Sequence, residues 1–494
     1  MFSSRFYPLS RVAMLCSITW LAACSTLPKY SVPQSDVPEH FATTSATPGW
    51  SNAKPGDNAP RGPWWEIFHD DTLNGLESRV DVSNQTVRGA IAQLEAARSM
   101  IDYQRAGYAP TITAGIAQQR YRTSENVVGR SLAGKTIPDY SVGASASWEP
   151  DLFGRVKDSS VQAKDNAQAS QADLESVRLS VTSQLATDYF DLRSFDRQKK
   201  LLDDTVTAYA DALRILEQQL TNGAIDASAV AQAQTQLESA RTADSDIDVQ
   251  RDQLQHAIAT LIGVPSSTFS IAPRVDPEEI PSIPASVPSI LLERRPDIAA
   301  AERRVAAANA QIGLAHAAFY PDLTLSAFAG LESTFFAPWL TAPSLFWSLG
   351  SQLAGTLFDG GRRNATLRDA NAQYDSAVAS YRQTVLTAFQ QVDDNLTTLD
   401  TLASESLSQR RATTAAQLSL KLTTNRYHAG AVSYLDVVTA QTIALQNERN
   451  EELIAGRRLD ASVHLLQALG GGWDRAELAP ENGPATTTAY QPHQ

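Results

Sequence analysis

The chain has 494 residues, 43% hydrophobic and 19% charged, a balance that belongs to folded proteins rather than disordered ones. Its formal charge of -13, from 41 Lys and Arg against 54 Asp and Glu, argues against a nucleic-acid partner, because phosphate contacts need a basic surface. Two cysteines, Cys16 and Cys24, are too few for a thiol-metal cluster or a disulfide framework.

Arg5 and Arg11 precede an uncharged apolar stretch, Val12 to Ala23, which has the length of a secretory h-region and is too short to cross a bilayer as a helix. Residues 1–23 therefore read as a signal peptide. The stretch ends in Leu21-Ala22-Ala23-Cys24, which resembles the bacterial lipoprotein signal. That resemblance implies covalent diacylglycerol and an N-acyl chain on Cys24, no other cofactor, and, with Ser25 next, sorting to the outer membrane. An incidental cysteine removed with an ordinary signal is the alternative. Without residues 1–23, which hold two Arg and no acids, 39 basic residues face 54 acidic ones, a net -15. No later apolar run is long enough for a transmembrane helix, so any spanning must use strands. Residues 24–62, rich in Pro, Ser, Thr and Ala, read as a tether, with folding expected from Trp64-Trp65.

Shifted by 207 positions, Gly154 to Gly263 aligns without a gap on Gly361 to Gly470, matching Gly223-Ala224 with Gly430-Ala431 and Ala233-Gln234-Thr235 with Ala440-Gln441-Thr442. Upstream the offset is 211, matching Ile101 with Ile312 and Pro110 with Pro321. An internal duplication follows, with halves at 63–290 and 291–473 and a tail at 474–494.

In the first half, Ile112, Ala114 and Ile116, then Val142, Ala144, Ala146 and Trp148, alternate with small or polar residues, the period of a strand. A β-hairpin is predicted at about 108–150. Arg155 to Asn222 holds neither proline nor glycine and suits one helix of about 100 Å. It turns at about 222–226 into a second helix of about 226–262. The second half repeats the plan: a hairpin at about 320–358, a helix over Arg362 to Ala429, a turn at about 429–434 and a helix of about 433–469. A seam of Tyr374, Val378, Tyr381, Val385, Ala388, Val392, Leu396 and Leu399 steps by four and three. Tyr108, Tyr121, Tyr140, Trp148, Tyr320, Trp339 and Trp347 crowd the strand ends, as membrane-interface aromatics or as the core of a soluble sandwich. Four strands cannot close a barrel, and open edges are not tolerated in lipid, so several protomers must pool them.

Catalytic chemistry is not visible. The seven histidines show no metal-ligand spacing, and Gly360-Gly361 lacks the lysine of a phosphate loop, so neither an enzyme nor a metal site is expected.

Four motifs in order carry a family resemblance: Pro63-Trp64-Trp65-Glu66-Ile67-Phe68, Leu292-Glu293-Arg294-Arg295-Pro296-Asp297-Ile298, Phe319-Tyr320-Pro321-Asp322-Leu323, and Leu357-Phe358-Asp359-Gly360-Gly361-Arg362. Together they resemble the TolC family of trimeric outer-membrane efflux channels, in its lipoprotein (NodT/OprM-type) branch. The resemblance implies an α+β fold, a long antiparallel α-helical barrel joined to four strands per protomer of a trimeric twelve-stranded transmembrane β-barrel. It implies a homotrimer in the outer membrane of a Gram-negative bacterium, in contact with its lipid and extending into the periplasm. Partners would be a periplasmic adaptor protein and an inner-membrane transporter of the resistance-nodulation-division or a similar type.

By the same resemblance the two turns meet the adaptor, making Gly223, Ala224, Ile225, Gly430, Ala431 and Val432 candidate contacts; as helix caps alone, the glycines would need no partner. Asp436 matches an acidic ring that gates the family's periplasmic mouth, Thr439 stands where many relatives carry a second Asp, and Leu435 matches a hydrophobic plug. Read locally, Asp436 is a solvated charge in a helix's first turn. Tyr427 matches one residue of a polar latch whose other members would fall at Ala229 and Val432, so that latch is not present as such. Expected cargo is small, drugs or aromatic compounds; heavy-metal cations, a type I secreted protein, or a non-conducting envelope lipoprotein are the alternatives.

Overall fold

A computed structural model of the chain describes residues 28–34, 63–126, 134–276, 280–281 and 295–472. The signal peptide, Cys24, most of the tether, the tail and Leu292 to Arg294 lie outside the described residues.

Folding starts at a 3₁₀ turn, Trp64–Phe68, followed by α1 (Asp71–Ser83) and α2 (Gln85–Arg105). Asp70 fixes the start of α1 by accepting from the backbone N–H groups of Thr72 and Leu73, two of the donors a helix start leaves open. Next come β1 (Thr111–Arg122) and β2 (Thr136–Trp148), then α3 (Arg155–Thr221) and α4 (Ala227–Leu261). After α5 (Pro296–Ala317), the order repeats as β3 (Asp322–Ser333), β4 (Leu345–Ala354), α6 (Arg362–His428) and α7 (Tyr434–Ala468). A sequence free of helix breakers gives one helix of 67 residues in each half, α3 and α6. Both ends of α6 fall 207 residues after those of α3, and both ends of β3 fall 211 after those of β1.

The chain divides into two compact units. The first gathers residues up to Gln34, Leu94–Ala169 and Ala301–Tyr381. Its centre is one antiparallel sheet in the order β1-β2-β3-β4, with Thr111 opposite Ser147, Trp148 opposite Leu325, and Asp322 opposite Ala354. Ile312 and Ala315 of α5 pack on Ala370 of α6 beside it. The segment 28–34 is strapped to α5: the Tyr30 hydroxyl donates to the Glu302 carboxylate, and the Asn309 amide donates to the Pro28 carbonyl at 2.9 Å. Glu302 is only 1% exposed and is paired with Arg303, whose guanidinium also donates to Gln168 at 3.2 Å.

The second unit gathers Ser35–Gln93, Ser170–Ala300 and Arg382 onward, and its described residues are helical. Leu73, Val80, Leu185, Phe190 and Leu192 are buried, with the Phe68 and Phe190 rings 4.7 Å apart. Val385, Ala388, Val392, Leu396 and Leu399 are also buried, as is Tyr381 at the edge of the first unit, so most of the predicted α6 seam is core. One ionic node pins the connector after α4. Asp196, at the centre, binds Arg193 at 2.9 Å and Arg251 at 2.6 Å, and these arginines donate to the carbonyls of Ala272 and Ile271. Every buried charge there has a partner, as burial requires.

Candidate functional site

Two regions could do work, the sheet of the first unit and the helical turns of the second. Successive strand residues point to opposite faces, so the register sorts them. One face carries Ile112, Ala114 and Ile116 of β1, Val142, Ala144 and Ala146 of β2, Leu325, Ala327, Ala329 and Leu331 of β3, and Leu345, Trp347, Leu349 and Leu353 of β4. The large side chains of β1 and β4 are bare in the protomer, Ile116 at 74% and Leu349 at 75% exposure, whereas Val142, Leu325 and Leu331 are half-buried; towards the β1–β2 loop the same face turns polar at Gln118, Arg120 and Arg122. The opposite face carries Thr111, Thr113, Ser141, Ser145, Ser147, Ser326 and Ser348, with Thr113 and Ser145 sharing a hydroxyl bond of 2.7 Å. A sheet bare and apolar on one side and hydroxylated on the other has the pattern of a wall between lipid and water.

Towards the β1–β2 loop the polar face carries Tyr121 opposite Ile137, and in its middle Phe328 stacks on Phe346 at 5.0 Å. Gly115, Gly143 and Gly330 stand in one row across three strands there. A Cβ on Gly143 would lie 2.9 Å from the tip of the Phe328 ring, so that glycine makes room for the aromatic. Alternation alone does not announce this pair.

The seven predicted interface aromatics separate into two groups. Tyr108, Trp148 and Tyr320 lie at the sheet end that joins the helices; Trp148 donates its indole N–H to the Tyr108 carbonyl at 3.1 Å, and Phe153 stacks on Tyr320 at 4.8 Å. Tyr121, Tyr140, Trp339 and Trp347 lie towards the loops that join β1 to β2 and β3 to β4, with Tyr140 and Trp339 rings 5.8 Å apart. Along β2, Trp148 and Tyr140 are eight residues apart, about 27 Å of strand.

At the helical turns, Gly223 (φ 70) and Gly430 (φ 73) are both left-handed. Each closes the preceding helix by the same two bonds: Gly223 N–H to the Leu220 carbonyl and Ala224 N–H to Gln219, then Gly430 N–H to Tyr427 and Ala431 N–H to Arg426, all at 2.9 Å. This is the Schellman arrangement, which only glycine adopts freely. Beneath them Leu216 of α3, Ala233 of α4, and Tyr434 and Val437 of α7 form a core to which Ile225 and Tyr427 add contacts. Of the six predicted contact residues, Gly223, Ala224, Gly430 and Ala431 are exposed, whereas Ile225 and Val432 are half-buried.

The four predicted gate residues do not share one environment. Leu435, Asp436 and Thr439 occupy the exposed face of α7, opposite buried Tyr434, Val437 and Ala440. Tyr427 instead packs against Tyr434, ring centroids 5.6 Å apart, and its hydroxyl donates to Gln219 of α3 at 3.3 Å. Gln219 is a partner that no local pattern reveals. Asp436 is committed on one side: its Oδ2 accepts from the Ser433 N–H at 2.9 Å and hydroxyl at 2.7 Å, a reciprocal capping box. Those bonds hold its carboxyl below the ordinary range, and the residue is exposed.

Away from the turns, Asp188 and Asp191 of α3 interact with Asp460 of α7; burial, then the two neighbouring carboxylates, push Asp460 up to about 7. His464 is the opposing charge acting on Asp191. Among the described residues no group of three or more His, Cys, Asp or Glu could hold a metal ion, and no helix is long and apolar enough to cross a membrane.

A family model described as "Outer membrane efflux protein" matches residues 76–264 and 287–471, well over half of the chain. The toluene efflux pump outer membrane protein TtgC of Pseudomonas putida is 30% identical over 457 residues, 92% of this chain and 93% of that protein. The cation efflux system protein CusC of Escherichia coli is 29% identical over 462 residues, 93% of this chain and 98% of that protein. Among solved structures, a membrane protein from Pseudomonas aeruginosa superposes with a TM-score of 0.82 at 30% identity, covering 90% of this chain and all of that one.

Proposed function

Since the chain belongs to the outer membrane efflux protein family, whose members are outer-membrane channels rather than enzymes, we propose that it is the exit duct of a tripartite efflux pump and works as a homotrimer. The observation that carries this reading is the two-faced sheet. Its apolar side suits lipid and its hydroxyl side suits an aqueous lumen, while β1 and β4 remain open edges that lipid would not tolerate. Three copies supply twelve strands, and the aromatic groups at the two sheet ends then mark the two membrane interfaces.

The two halves are copies of one unit, bounded as 63–290 and 291–473, preceded by the signal peptide 1–23 and the lipidated tether 24–62. Cys24 carries the acyl chains. The exposed turns around Gly223 and Gly430 receive the periplasmic adaptor, which links the duct to a transporter of the resistance-nodulation-division type. Leu435 and Asp436 of three copies meet at the periplasmic mouth, where converging carboxylates favour cations and repel one another. Cargo is small and organic, a reading supported by the likeness to a toluene efflux protein; the near-equal likeness to a cation efflux protein makes metal cations the second reading.

The test combines planar-bilayer recording with a deletion strain given the wild type or an Ala431→Trp variant, challenged with drugs, aromatic compounds and metal salts. Ala431 is the better turn residue to enlarge, because Gly430 at φ 73 would strain under any side chain. Conductance, with sensitivity to organic compounds rescued by the wild type alone, is the expected result. A sensitivity confined to metal salts moves the cargo to cations; a silent, trimeric protein makes it an envelope tether.

A further inference from the structure

We propose that Phe328 and Phe346, with the glycine row beside them, form a stacking site on the lumen wall for planar aromatic molecules in transit, uncharged or cationic rather than anionic. The proposal rests on the channel reading above and gives its organic cargo a place of contact.

The two rings are not core residues. They stand half-buried on the hydroxylated side of the sheet, beside Ser145, Ser326 and Ser348. Apolar surface turned towards water costs free energy that a small hydroxyl residue at either position would avoid. The register brings the rings together: Phe328 faces Ser348 and Gly330 faces Phe346, so the two are diagonal neighbours, within reach of each other as large side chains. Their planes lie 26° apart with centroids at 5.0 Å, a stacked geometry that leaves each ring a second face.

Phe328 also leans across the sheet. It stands opposite Ser145 of β2, yet its tip reaches Gly143, 2.9 Å from where a Cβ would be. Gly115, the next glycine of that row, has no atom within 4 Å of an added Cβ. The row is thus covered at Gly143 and open at Gly115, a shelf floored by backbone and bounded on one side by an aromatic ring. A flat molecule laid there meets a π system at its edge and bare peptide beneath. Such contacts suit any planar aromatic and specify no substituent.

Charge narrows the class. Along the four strands the polar side carries Asp139, Asp322 and Glu332 and neither Lys nor Arg. Glu332 is two residues beyond Gly330, about 7 Å along the strand. An aromatic anion would be repelled there, whereas a cation gains from the acid and from the faces of Phe328 and Phe346.

Equilibrium binding to the full chain in lipid nanodiscs, read as the fluorescence anisotropy of the planar acridine cation proflavine, tests the site. Empty nanodiscs set the background. Affinity should fall roughly ten-fold in Phe328→Leu with Phe346→Leu, the scale of losing aromatic stacking partners. Gly115→Thr, whose added Cβ meets no neighbour, keeps the test open should the double variant fail to fold, and it should weaken binding as well. Amantadine, a cation without a π face, should not displace the dye. No saturable binding to the wild type, unchanged affinity in either folded variant, or displacement by amantadine at equal concentration would each overturn the stacking site. Planar-bilayer recording of the same wild-type preparation separates the two readings: a conducting protein without the site leaves the channel standing, and one that never conducts overturns both.

Discussion

At its first turn the chain starts α4 with Asp226 as the cap, its carboxylate accepting from the Ser228 N–H at 2.7 Å. At the second, 207 residues on, Ser433 holds that place and the carboxylate sits three residues further in, at Asp436. Either arrangement satisfies a helix start, and the left-handed glycines before them are closed by identical bonds. What changes is the exposed face of the helix that follows. Leu435, Asp436 and Thr439 correspond to Ser228, Ala229 and Gln232, so only the second turn displays an apolar side chain and a charge together. Two copies of one folding solution can therefore diverge in function without cost to the fold.

The largest effect expected contrasts the carboxylates at the turns with those in the shaft. Hydrogen bonds from Ser228 and Ser433 depress Asp226 and Asp436, so their caps hold above the ordinary value of 3.8 and fail only as pH falls through the depressed values. Asp460, raised to about 7, has the opposite sign: its contribution is complete below 3.8 and disappears as pH rises through about 7. Between pH 4 and 8 the wild type should lose on the order of 2 kcal/mol that Asp460→Asn does not lose, as read by denaturation at several pH values. Equal slopes would remove the acidic cluster from the account.

Next in size, Gly223→Val and Gly430→Val should each cost about 1–2 kcal/mol, since no neighbouring atom lies within 4 Å of either added Cβ and the penalty is that of the backbone alone. Hydrogen exchange at the first turns of α4 and α7 measures both, and a clearly larger loss at Gly430 would show that its turn does more than cap. The functional contrast follows. Asp436→Ala should weaken block of the channel by multivalent cations several-fold, whereas Asp226→Ala should leave it unchanged; matching responses would sink the gate. The smallest effect is at Tyr427, whose counterpart in the first half is Leu220: Tyr427→Phe should cost roughly 0.5–1 kcal/mol, and nothing further in a Gln219→Leu background.

Much of this could be read in the sequence because its signals are local. Alternation over Ile112 to Ile116 marks a strand, a long stretch without glycine or proline marks α3, and the glycine that ends such a stretch marks each turn. The aromatics separated as their places beside the strands suggest. Partners far apart in sequence left no such trace: Tyr427 with Gln219, Tyr30 with Glu302, and Asp196 with Arg251 are matched by packing, which no window of neighbouring residues encodes. Phe328 and Phe346 escaped for another reason. They occupy polar-face positions, where alternation predicts small hydroxyl residues, and Gly143 leaves the space that the Phe328 ring tip fills.

The strap over α5 bears on how the protein sits in a bilayer. Cys24 precedes Pro28 by four residues, a reach of about 14 Å at full extension, and Pro28 is tied to Asn309, eight residues before α5 ends at Ala317. On the proposed lipidation of Cys24, the acyl chains would be no more than that reach from a segment pegged to α5. A tether that short would act as a depth stop, favouring the leaflet beside Tyr108, Trp148 and Tyr320 and with it one direction of strand insertion.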